Sequence, residues 1–337
     1  MSDGEFIAVT GADGFAGRAL CAHLRQRRVR VRGLVRSLKD AAHARNDDTF
    51  VTGDLAASDE RVLATAIRGA RVVVHLAGRA HITGDAPDAE QAYQLANCAG
   101  TQRLARAAAV AGVTQLVFAS TVKVNGEATW PGRPFVEGDA ALPHDAYARS
   151  KWAAEQALAE IARETGLGVT VLRLPLMYGP GAKGNFARLV NAVARGVPLP
   201  LGAVTNRRSL LSVANFVTAV DTLRASNTAA ARQGVATYFL ADAEAPSTPA
   251  LIRAIANALH VPARLVPVPV PLLRLAGACF LQTATIARLT GSLEVDTAAF
   301  RRATGWHPPF TLAEGLRGVA ASAETVTGRQ RLSRGKP

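Results

Sequence analysis

The residues best suited to chemistry in this sequence are a tyrosine and a lysine four positions apart, Tyr147 and Lys151. Residues at this spacing share one face of a helix, so both side chains can point into one site. A phenol has an ordinary pKa near ~10 and is a poor proton donor or base at neutral pH. A nearby ammonium favours the phenolate and lowers that pKa, which would make the pair a proton shuttle. Because ordinary exposed helices also carry this pair, the prediction depends on the other motifs.

A glycine-rich turn near the start of the chain predicts a place for phosphate groups. An apolar run over residues 6–9 is followed by Gly11, Gly14 and Gly17, and then by a helix with periodic apolar residues. Glycines let the backbone come close to a pyrophosphate, and a helix start offers free N–H groups. The spacing G-x-x-G-x-x-G differs from the usual G-x-G-x-x-G. Its position between a strand and a helix nevertheless predicts a dinucleotide cofactor.

The end of the second predicted strand, residues 29–35, bears on which dinucleotide is bound. NAD-binding proteins commonly carry an Asp or Glu near this point, which holds the ribose hydroxyls. Here Arg36 follows the strand, and we find no acid nearby. A guanidinium suits a 2′-phosphate, so the sequence favours NADP(H) over NAD(H). The alternative is a solvated arginine at a strand end.

Apolar runs that alternate with helical patterns predict the elements that position these residues. The runs lie at residues 6–9, 29–35, 50–52, 72–76, 116–119 and 169–174. Continuous apolar strands that alternate with helices form a parallel sheet covered on both faces, and ligands bind beyond the carboxyl ends of its strands. We therefore predict an α/β, Rossmann-type, doubly wound parallel sheet with a smaller, mostly helical C-terminal substrate lobe. The predicted divisions are a dinucleotide-binding domain over 1–174 with an interleaved segment of about 209–240, a substrate lobe over 175–208 and 241–327, and a disordered basic tail over 328–337.

Composition narrows the classes of partner. The 337 residues carry a formal net charge of +13, which could attract nucleic acid. However, aromatic residues make up only 5% and the sequence has no basic stripe, so we expect that the protein does not bind nucleic acid. Three widely spaced cysteines have neither metal-ligand nor disulfide spacing, which predicts no metal and a cytoplasmic location. Because the first predicted strand begins only a few residues after Met1, we expect no signal peptide. The most apolar stretch, residues 261–281, is interrupted by prolines and arginines, so we expect no membrane insertion.

Short motifs in a fixed order resemble a known family. They are Thr10-Gly11-x-x-Gly14-Phe15-x-Gly17, Gly53-Asp54-Leu55, His75-Leu76-Ala77-Gly78, Ser120-Thr121 and Tyr147-x-x-x-Lys151. Together they closely resemble the extended short-chain dehydrogenases/reductases, which include nucleotide-sugar epimerases, dehydratases and ketoreductases. The resemblance covers nearly the whole chain, because residues 173–180 and 208–213 look similar to the substrate-lobe segments of that family.

The resemblance implies a role for each matching residue. The implied cofactor contacts are Gly11, Gly14, Phe15, Gly17, Arg36, Asp54, Leu55, Ala77, Gly78, Tyr147 and Lys151. The implied catalytic residues are Thr121, Tyr147 and Lys151. The implied substrate contacts are Thr121, Lys123, Asn185 and Arg208, of which the last two would hold the diphosphate of a UDP-sugar. Alternatives remain for single residues: Asp54 suits a turn, Asn185 a helix cap, and His75 a hydrogen-bonded core position.

The resemblance also narrows the reaction. Family dehydratases carry an Asp-Glu pair directly after the catalytic Thr, whereas Val122 and Lys123 stand here, which disfavours dehydration. We therefore predict a 4-keto-sugar reductase of surface-polysaccharide (O-antigen) sugar biosynthesis. The sequence looks similar to reductases that make UDP-N-acetylquinovosamine-type sugars. It departs from the family at Asn125, where family members often have Tyr. The alternatives are a UDP-glucose or UDP-N-acetylglucosamine 4-epimerase and, from another class, a non-catalytic NADP(H)-binding sensor or assembly subunit. Family members often form homodimers, which the resemblance implies here.

Overall fold

The chain alternates strands and helices through its first half, as the apolar runs predict. A computed structural model describes residues 6–37, 39–40, 48–80, 88–226, 234–279 and 283–320. The strands in chain order are β1 (Phe6–Thr10), β2 (Val31–Val35), β3 (Thr49–Val51), β4 (Ala70–His75), β5 (Gln115–Thr121), β6 (Gly168–Leu174), β7 (Leu176–Tyr178), β8 (Leu210–Ser212) and β9 (Val235–Phe239).

The main sheet of the described residues has seven strands in the order β3-β2-β1-β4-β5-β6-β9. Its neighbouring strands pair in parallel. The order reverses between β1 and β4, and a crevice at such a reversal is where open α/β sheets bind ligands. Strands β7 and β8 form a separate small parallel pair. The predicted Rossmann-type fold is confirmed.

Helices cover both faces of this sheet and build the C-terminal region. They are α1 (Phe15–Gln26), α2 (Glu60–Ile67), α3 (Ala89–Tyr93), α4 (Gly100–Val110), α5 (Ala146–Thr165), α6 (Gly184–Ala194), α7 (Val213–Ala225), α8 (Thr248–Ala258), α9 (Val270–Cys279), α10 (Thr283–Thr290), α11 (Ala298–Thr304) and α12 (Leu312–Gly315). A π-helical segment, Gln94–Ala99, joins α3 to α4, and a 3₁₀ turn, Val122–Val124, follows β5.

Apolar side chains form one core on each face of the sheet. Val74 of β4 packs with α1 and α7, whereas the preceding Val73 packs with α2, α4 and α5. Successive residues of a strand point to opposite faces, so one apolar strand supplies both cores. This explains why the strands read as continuous apolar runs.

A third apolar cluster lies in the C-terminal half and is built around Phe186, Ile252 and Leu273. Most of its residues lie in the segments predicted for the substrate lobe, while β9 of the segment around 209–240 pairs with β6 of the main sheet and α7 packs against that sheet. The exact lobe boundaries stay a prediction, and the predicted tail over 328–337 lies outside the described residues. Within the part of the chain that the structure describes, no helix combines the length and the apolarity needed to cross a membrane.

Candidate active site

The glycine turn joins β1 to α1 and is packed too closely for larger side chains. Gly11 has a φ of +64°. A Cβ on Gly17 would lie 2.1 Å from the carbonyl oxygen of Gly11, and one on Gly14 would lie 3.1 Å from the same atom. Helix α1 begins after Gly14 without a side-chain cap or an acidic residue in its first turn, where Phe15 stands. The free N–H groups of this helix start fit the pyrophosphate of a dinucleotide.

A short loop after β4 lies between the glycine turn and the lysine. A Cβ on Gly11 would lie 2.9 Å from the backbone nitrogen of Ala77. A Cβ on the next loop residue, Gly78, would lie 3.4 Å from Nζ of Lys151. The structure therefore brings four of the predicted cofactor residues together in one continuous surface at the carboxyl edge of the sheet.

His75, at the end of β4, is a hydrogen-bonded core histidine, as the alternative interpretation predicts. Its Nδ1 lies 2.7 Å from Oγ1 of Thr10, and its Nε2 lies 2.9 Å from Oγ1 of Thr101. Burial, with a smaller contribution from the charge of Lys151, lowers the pKa of His75 to about 3. The imidazole is therefore neutral, and Thr10 also accepts a hydrogen bond from the backbone N–H of Ala77, which fixes the loop.

Lys151 lies buried on α5 and reaches the carboxyl end of β5. Its Nζ donates a hydrogen bond of 2.9 Å to the carbonyl of Ala119 and lies 4.5 Å from the ring centroid of Phe118. Burial lowers the pKa of this ammonium to about 8, and the carboxylate of Glu155 opposes that shift. At neutral pH Lys151 is therefore mostly protonated.

Tyr147 lies in the first turn of the same helix and is half-buried. Asp145 caps this helix by accepting a hydrogen bond from the backbone N–H of Ala148, and the ring of Tyr93 lies 5.9 Å from that of Tyr147. Burial raises the pKa of Tyr147 above its ordinary value, and Asp145 and Tyr93 raise it further. The protein's own groups therefore keep the phenol protonated, whereas the sequence predicts that Lys151 lowers its pKa.

Thr121 ends β5, and Lys123 connects this strand end to the tyrosine helix. Oγ1 of Thr121 accepts a hydrogen bond of 3.3 Å from the backbone N–H of Lys123. The ammonium of Lys123 donates to Asp145 at 2.5 Å and to Glu127 at 3.2 Å. Because Asp145 is the cap that precedes Tyr147, this ion pair ties the two predicted catalytic segments together. Lys123 itself is occupied by carboxylates of the protein.

The predicted diphosphate contacts lie in the C-terminal half. Arg208 donates a hydrogen bond of 2.8 Å to the carbonyl of Arg288, whose guanidinium lies 3.6 Å from Glu127. Arg208 is thereby linked to the neighbourhood of Lys123, and burial lowers its pKa. Asn185 is exposed in the first turn of α6, a helix that begins without a side-chain cap bond.

The residues expected around the adenosine end are more exposed. Arg36 is 67% exposed, and its Nε lies 3.9 Å from the carboxylate of Asp40. Asp40 stands four residues after Arg36, beyond the strand-end position at which NAD-binding proteins commonly carry their acid. Asp54 is exposed, and one of its oxygens accepts a turn hydrogen bond from Ala56, while the half-buried Leu55 packs against Gly100.

Asn97 is a site residue to which sequence reasoning gave no role. It is buried in the π-helical segment, accepts a hydrogen bond from the backbone N–H of Arg79 at 2.8 Å, and donates to Oγ of Ser150 at 3.0 Å. A Cβ on Gly78 would lie 2.9 Å from its Oδ1. Asn97 therefore holds the loop against α5. A π-helical insertion frequently marks a functional site, but a single sequence does not display one.

A buried ion pair supports the site from beneath. The guanidinium of Arg173 on β6 bonds Glu155 on α5, with its Nη2 at 2.6 Å, and the two side chains are 6% and 5% exposed. Ser120 donates a hydrogen bond to the same carboxylate, and Asn125 accepts one from Arg173 at 2.9 Å. Glu155 lies one helical turn after Lys151. The pair therefore joins α5 to β6, and the hydrogen bond from Ser120 adds the end of β5, next to the predicted catalytic threonine.

Comparisons with known proteins agree with this geometry. The chain belongs to the NAD dependent epimerase/dehydratase family, whose model matches residues 7–235, and the resemblance read from the motifs is confirmed. The chain is 38% identical over 324 residues to a UDP-glucose 4-epimerase of Vibrio cholerae, which covers 93% of this chain and 94% of the relative. It is 29% identical over 327 residues to a dTDP-6-deoxy-L-talose 4-dehydrogenase (NAD(P)(+)) of Kitasatospora kifunensis, covering 95% and 96% of the two chains.

Solved structures share the whole fold. MoeE5 in complex with UDP-glucuronic acid and NAD is 25% identical, with a TM-score of 0.71, over 96% of this chain and 99% of the other. A UDP-glucuronic acid 4-epimerase from Bacillus cereus is 20% identical, with a TM-score of 0.76, over 96% and 99% of the two chains, and this likeness shows the fold alone.

Proposed function

We propose that this protein is a 4-epimerase of a UDP-linked hexose or hexosamine that uses a bound NAD(H). The observation that carries the proposal is the continuous surface from Gly11 through Ala77 and Gly78 to Lys151, which joins a dinucleotide turn to the tyrosine helix. The relative from Vibrio cholerae supports epimerisation, since it is a UDP-glucose 4-epimerase and matches 93% of this chain. MoeE5, solved with UDP-glucuronic acid and NAD, supports the ligand class.

The side chains of the site suit proton transfer at the C4 oxygen of the sugar. A bound nicotinamide would supply the reversible hydride acceptor for C4. The phenolate of Tyr147 would take the hydroxyl proton as the ketone forms, and the phenol would give it back to the alkoxide oxygen when C4 is reduced, while Thr121 hydrogen-bonds the same oxygen. Because the protein's own groups raise the pKa of Tyr147, its phenolate needs a compensating positive charge, and Lys151 supplies that charge.

The remaining predicted contacts belong to the same proposal. Gly14, Phe15 and Gly17 would line the pyrophosphate, and Asp54 and Leu55 the adenosine. Lys123, Asn185 and Arg208 would contact the UDP portion, with the planar guanidinium best suited to phosphate oxygens. Homodimer formation and a cytoplasmic location stay predictions, and light scattering of the purified protein tests the first.

A second candidate, the 4-keto-sugar reductase that the sequence favours, rests on Arg36. Its exposed guanidinium is available to the 2′-phosphate of NADP(H), a cofactor that a reductase consumes and releases. The carboxylate of Asp40 beside it repels a phosphate and favours NAD(H) instead. Because relatives of both reaction types match the chain, the choice depends on product analysis.

The decisive experiment incubates the purified protein with UDP-glucose, UDP-N-acetylglucosamine and their 4-keto derivatives, each with NAD(H) or NADP(H). Interconversion of C4 epimers without net loss of reduced cofactor identifies an epimerase. Stoichiometric loss of reduced cofactor with a keto-sugar identifies a reductase and overturns our first proposal. Tight cofactor binding without turnover would instead identify a non-catalytic sensor.

Replacement of Tyr147 by phenylalanine tests the assigned proton donor. We expect turnover to fall by about 100- to 10,000-fold while cofactor and UDP binding change little, because general acid–base catalysis contributes that factor. The matched control is Tyr93→Phe, which removes a hydroxyl from the neighbouring ring. Wild-type turnover in Tyr147→Phe would falsify the assignment.

A further inference from the structure

Lys123 lies where the end of β5 meets the start of the tyrosine helix α5. Its backbone N–H donates a hydrogen bond of 3.3 Å to Oγ1 of Thr121, and its ammonium lies 2.5 Å from a carboxylate oxygen of Asp145. A second carboxylate, that of Glu127, lies 3.2 Å from the same ammonium. The three charged side chains are 31% to 35% exposed, so water screens their charges only in part. A cation is therefore held between two acids beside the predicted proton shuttle.

Asp145 places a negative charge next to the phenol that the proposed reaction ionises. One of its oxygens accepts a hydrogen bond of 2.7 Å from the backbone N–H of Ala148, which fixes the carboxylate at the start of α5, two residues before Tyr147. Burial raises the pKa of Tyr147 most, and the charge of Asp145 raises it further, because a nearby negative charge disfavours the phenolate. Asparagine caps helices as well as aspartate does and carries no charge. The acid therefore has an electrostatic cost that helix capping does not require.

The cation that compensates this acid most directly is Lys123. The other charged or titratable side chains around this part of the site are Glu90 and Tyr93 of α3, His144 before α5, Arg149 and Lys151 of α5, and Arg288 of α10. Arg149 is paired with Glu90 at 2.5 Å, and Tyr93 raises the pKa of Tyr147 as Asp145 does. Burial opposes the ionisation of Asp145, and the hydrogen bond from Lys123 is the largest of the effects that lower its pKa.

We propose that Lys123 is a positioning residue for Tyr147, because its ammonium holds the carboxylate of Asp145 and compensates the negative charge beside the reacting phenol. The phenolate then forms next to an ion pair instead of a lone acid. The backbone N–H of the same lysine binds the hydroxyl of Thr121, so one residue adjusts both groups that face the C4 oxygen. This inference rests on the proposed C4 chemistry, and it does not require Lys123 to touch the sugar.

Steady-state kinetics of the full chain with NAD and either UDP-glucose or UDP-N-acetylglucosamine test this role. In Lys123→Met we expect the acid side of the pH profile of kcat to move up by about one pH unit, which lowers kcat near neutral pH by about tenfold. KM for the UDP-sugar should change less than kcat. Asp145→Asn, which still caps α5, should move the acid side to lower pH. Lys123→Arg keeps a cation and should stay close to wild type.

Two double variants of equal net charge separate this role from a general charge effect. Lys123→Met/Asp145→Asn should regain most of the lost turnover, because the uncompensated acid is gone. Lys123→Met/Glu127→Gln should stay as slow as Lys123→Met, because the acid that raises the pKa of Tyr147 is Asp145. Circular dichroism shows whether the variants are folded, and Lys123→Gln replaces Lys123→Met if that variant does not fold.

The possible results distinguish this inference from the proposed function. Equal rescue by the two double variants would assign the effect to net charge and overturn the inference. A raised KM with unchanged kcat and an unmoved pH profile in Lys123→Met would make Lys123 a substrate contact only. Wild-type protein that does not interconvert C4 epimers would overturn the proposed function and this inference together, whereas normal wild-type turnover that Lys123→Met retains would overturn this inference alone.

Discussion

Replacing Glu155 by glutamine removes the buried counter-charge of Arg173. The guanidinium donates to both carboxylate oxygens, at 3.3 and 3.2 Å from Nε and at 2.6 Å from Nη2, in a region where the two side chains are 5% and 6% exposed. Removing one partner of a buried ion pair costs about 3–5 kcal/mol because it leaves a charge unpaired in a poorly solvated place. We expect Glu155→Gln near the lower value, since the amide oxygen still accepts a hydrogen bond.

Urea unfolding followed by circular dichroism measures this cost as a change in the free energy of unfolding. Arg173→Leu should fall near the upper value, because the carboxylate then keeps Ser120 as its hydrogen-bond donor but no cation. The double variant Glu155→Gln/Arg173→Leu should cost less than the two single changes together by about 1–3 kcal/mol, since no buried charge remains. The exposed pair of Arg149 and Glu90 supplies the control. Its side chains are 45% and 48% exposed, so Glu90→Gln should cost less than about 1 kcal/mol.

A second readout separates support of the site from stability alone. Glu155 raises the pKa of Lys151 against the lowering by burial. Without this carboxylate the pKa of Lys151 falls below about 8, so the alkaline decline of turnover should begin at a lower pH in Glu155→Gln than in wild type. Either of two outcomes would contradict this prediction. The single variants could lower the free energy of unfolding by less than about 1 kcal/mol, as expected for an exposed pair. Alternatively, the costs of the two changes could be strictly additive while the pH profile of turnover stays the same as in wild type.

Three further predictions concern the site itself. Turnover should decline as the pH rises through about 8, because Lys151 is protonated below that value and neutral above it. An ordinary lysine has a pKa near ~10.4, so a rate that stays constant up to about pH 10 would contradict the assignment. Gly17→Ala should abolish dinucleotide binding in a fluorescence titration, since its Cβ would lie 2.1 Å from the carbonyl oxygen of Gly11, whereas Gly138→Ala, which meets no atom within 4 Å, should bind normally. Asn97→Ala should lower the free energy of unfolding in urea by about 1–3 kcal/mol and should also lower turnover, because the N–H of Arg79 and the hydroxyl of Ser150 lose a buried hydrogen-bonding partner. Unchanged turnover would show that Asn97 is a purely structural residue.

The local parts of this protein could be predicted from the sequence. Apolar runs located six of the seven strands of the main sheet, β1 to β6, and glycine spacing identified the turn after β1, because both depend on residues that are neighbours in the chain. The i, i+4 spacing of Tyr147 and Lys151 placed them in one helix, which α5 confirms. Their roles in catalysis remain a proposal that the variants above test.

Contacts between distant segments were decided by the tertiary structure. Asn97 reaches Ser150 across 53 positions, and Arg173 reaches Asn125 across 48, so no local pattern announces either contact. The pKa of Tyr147 shows the same limit: helical spacing predicted a lowering by Lys151, whereas burial and Asp145 raise it. The sequence by itself determined which groups are present and which element carries each of them. Their solvation and their partners depend on how sheet, helices and loops pack, and these two quantities set the pKa values and the electrostatic energies of the site.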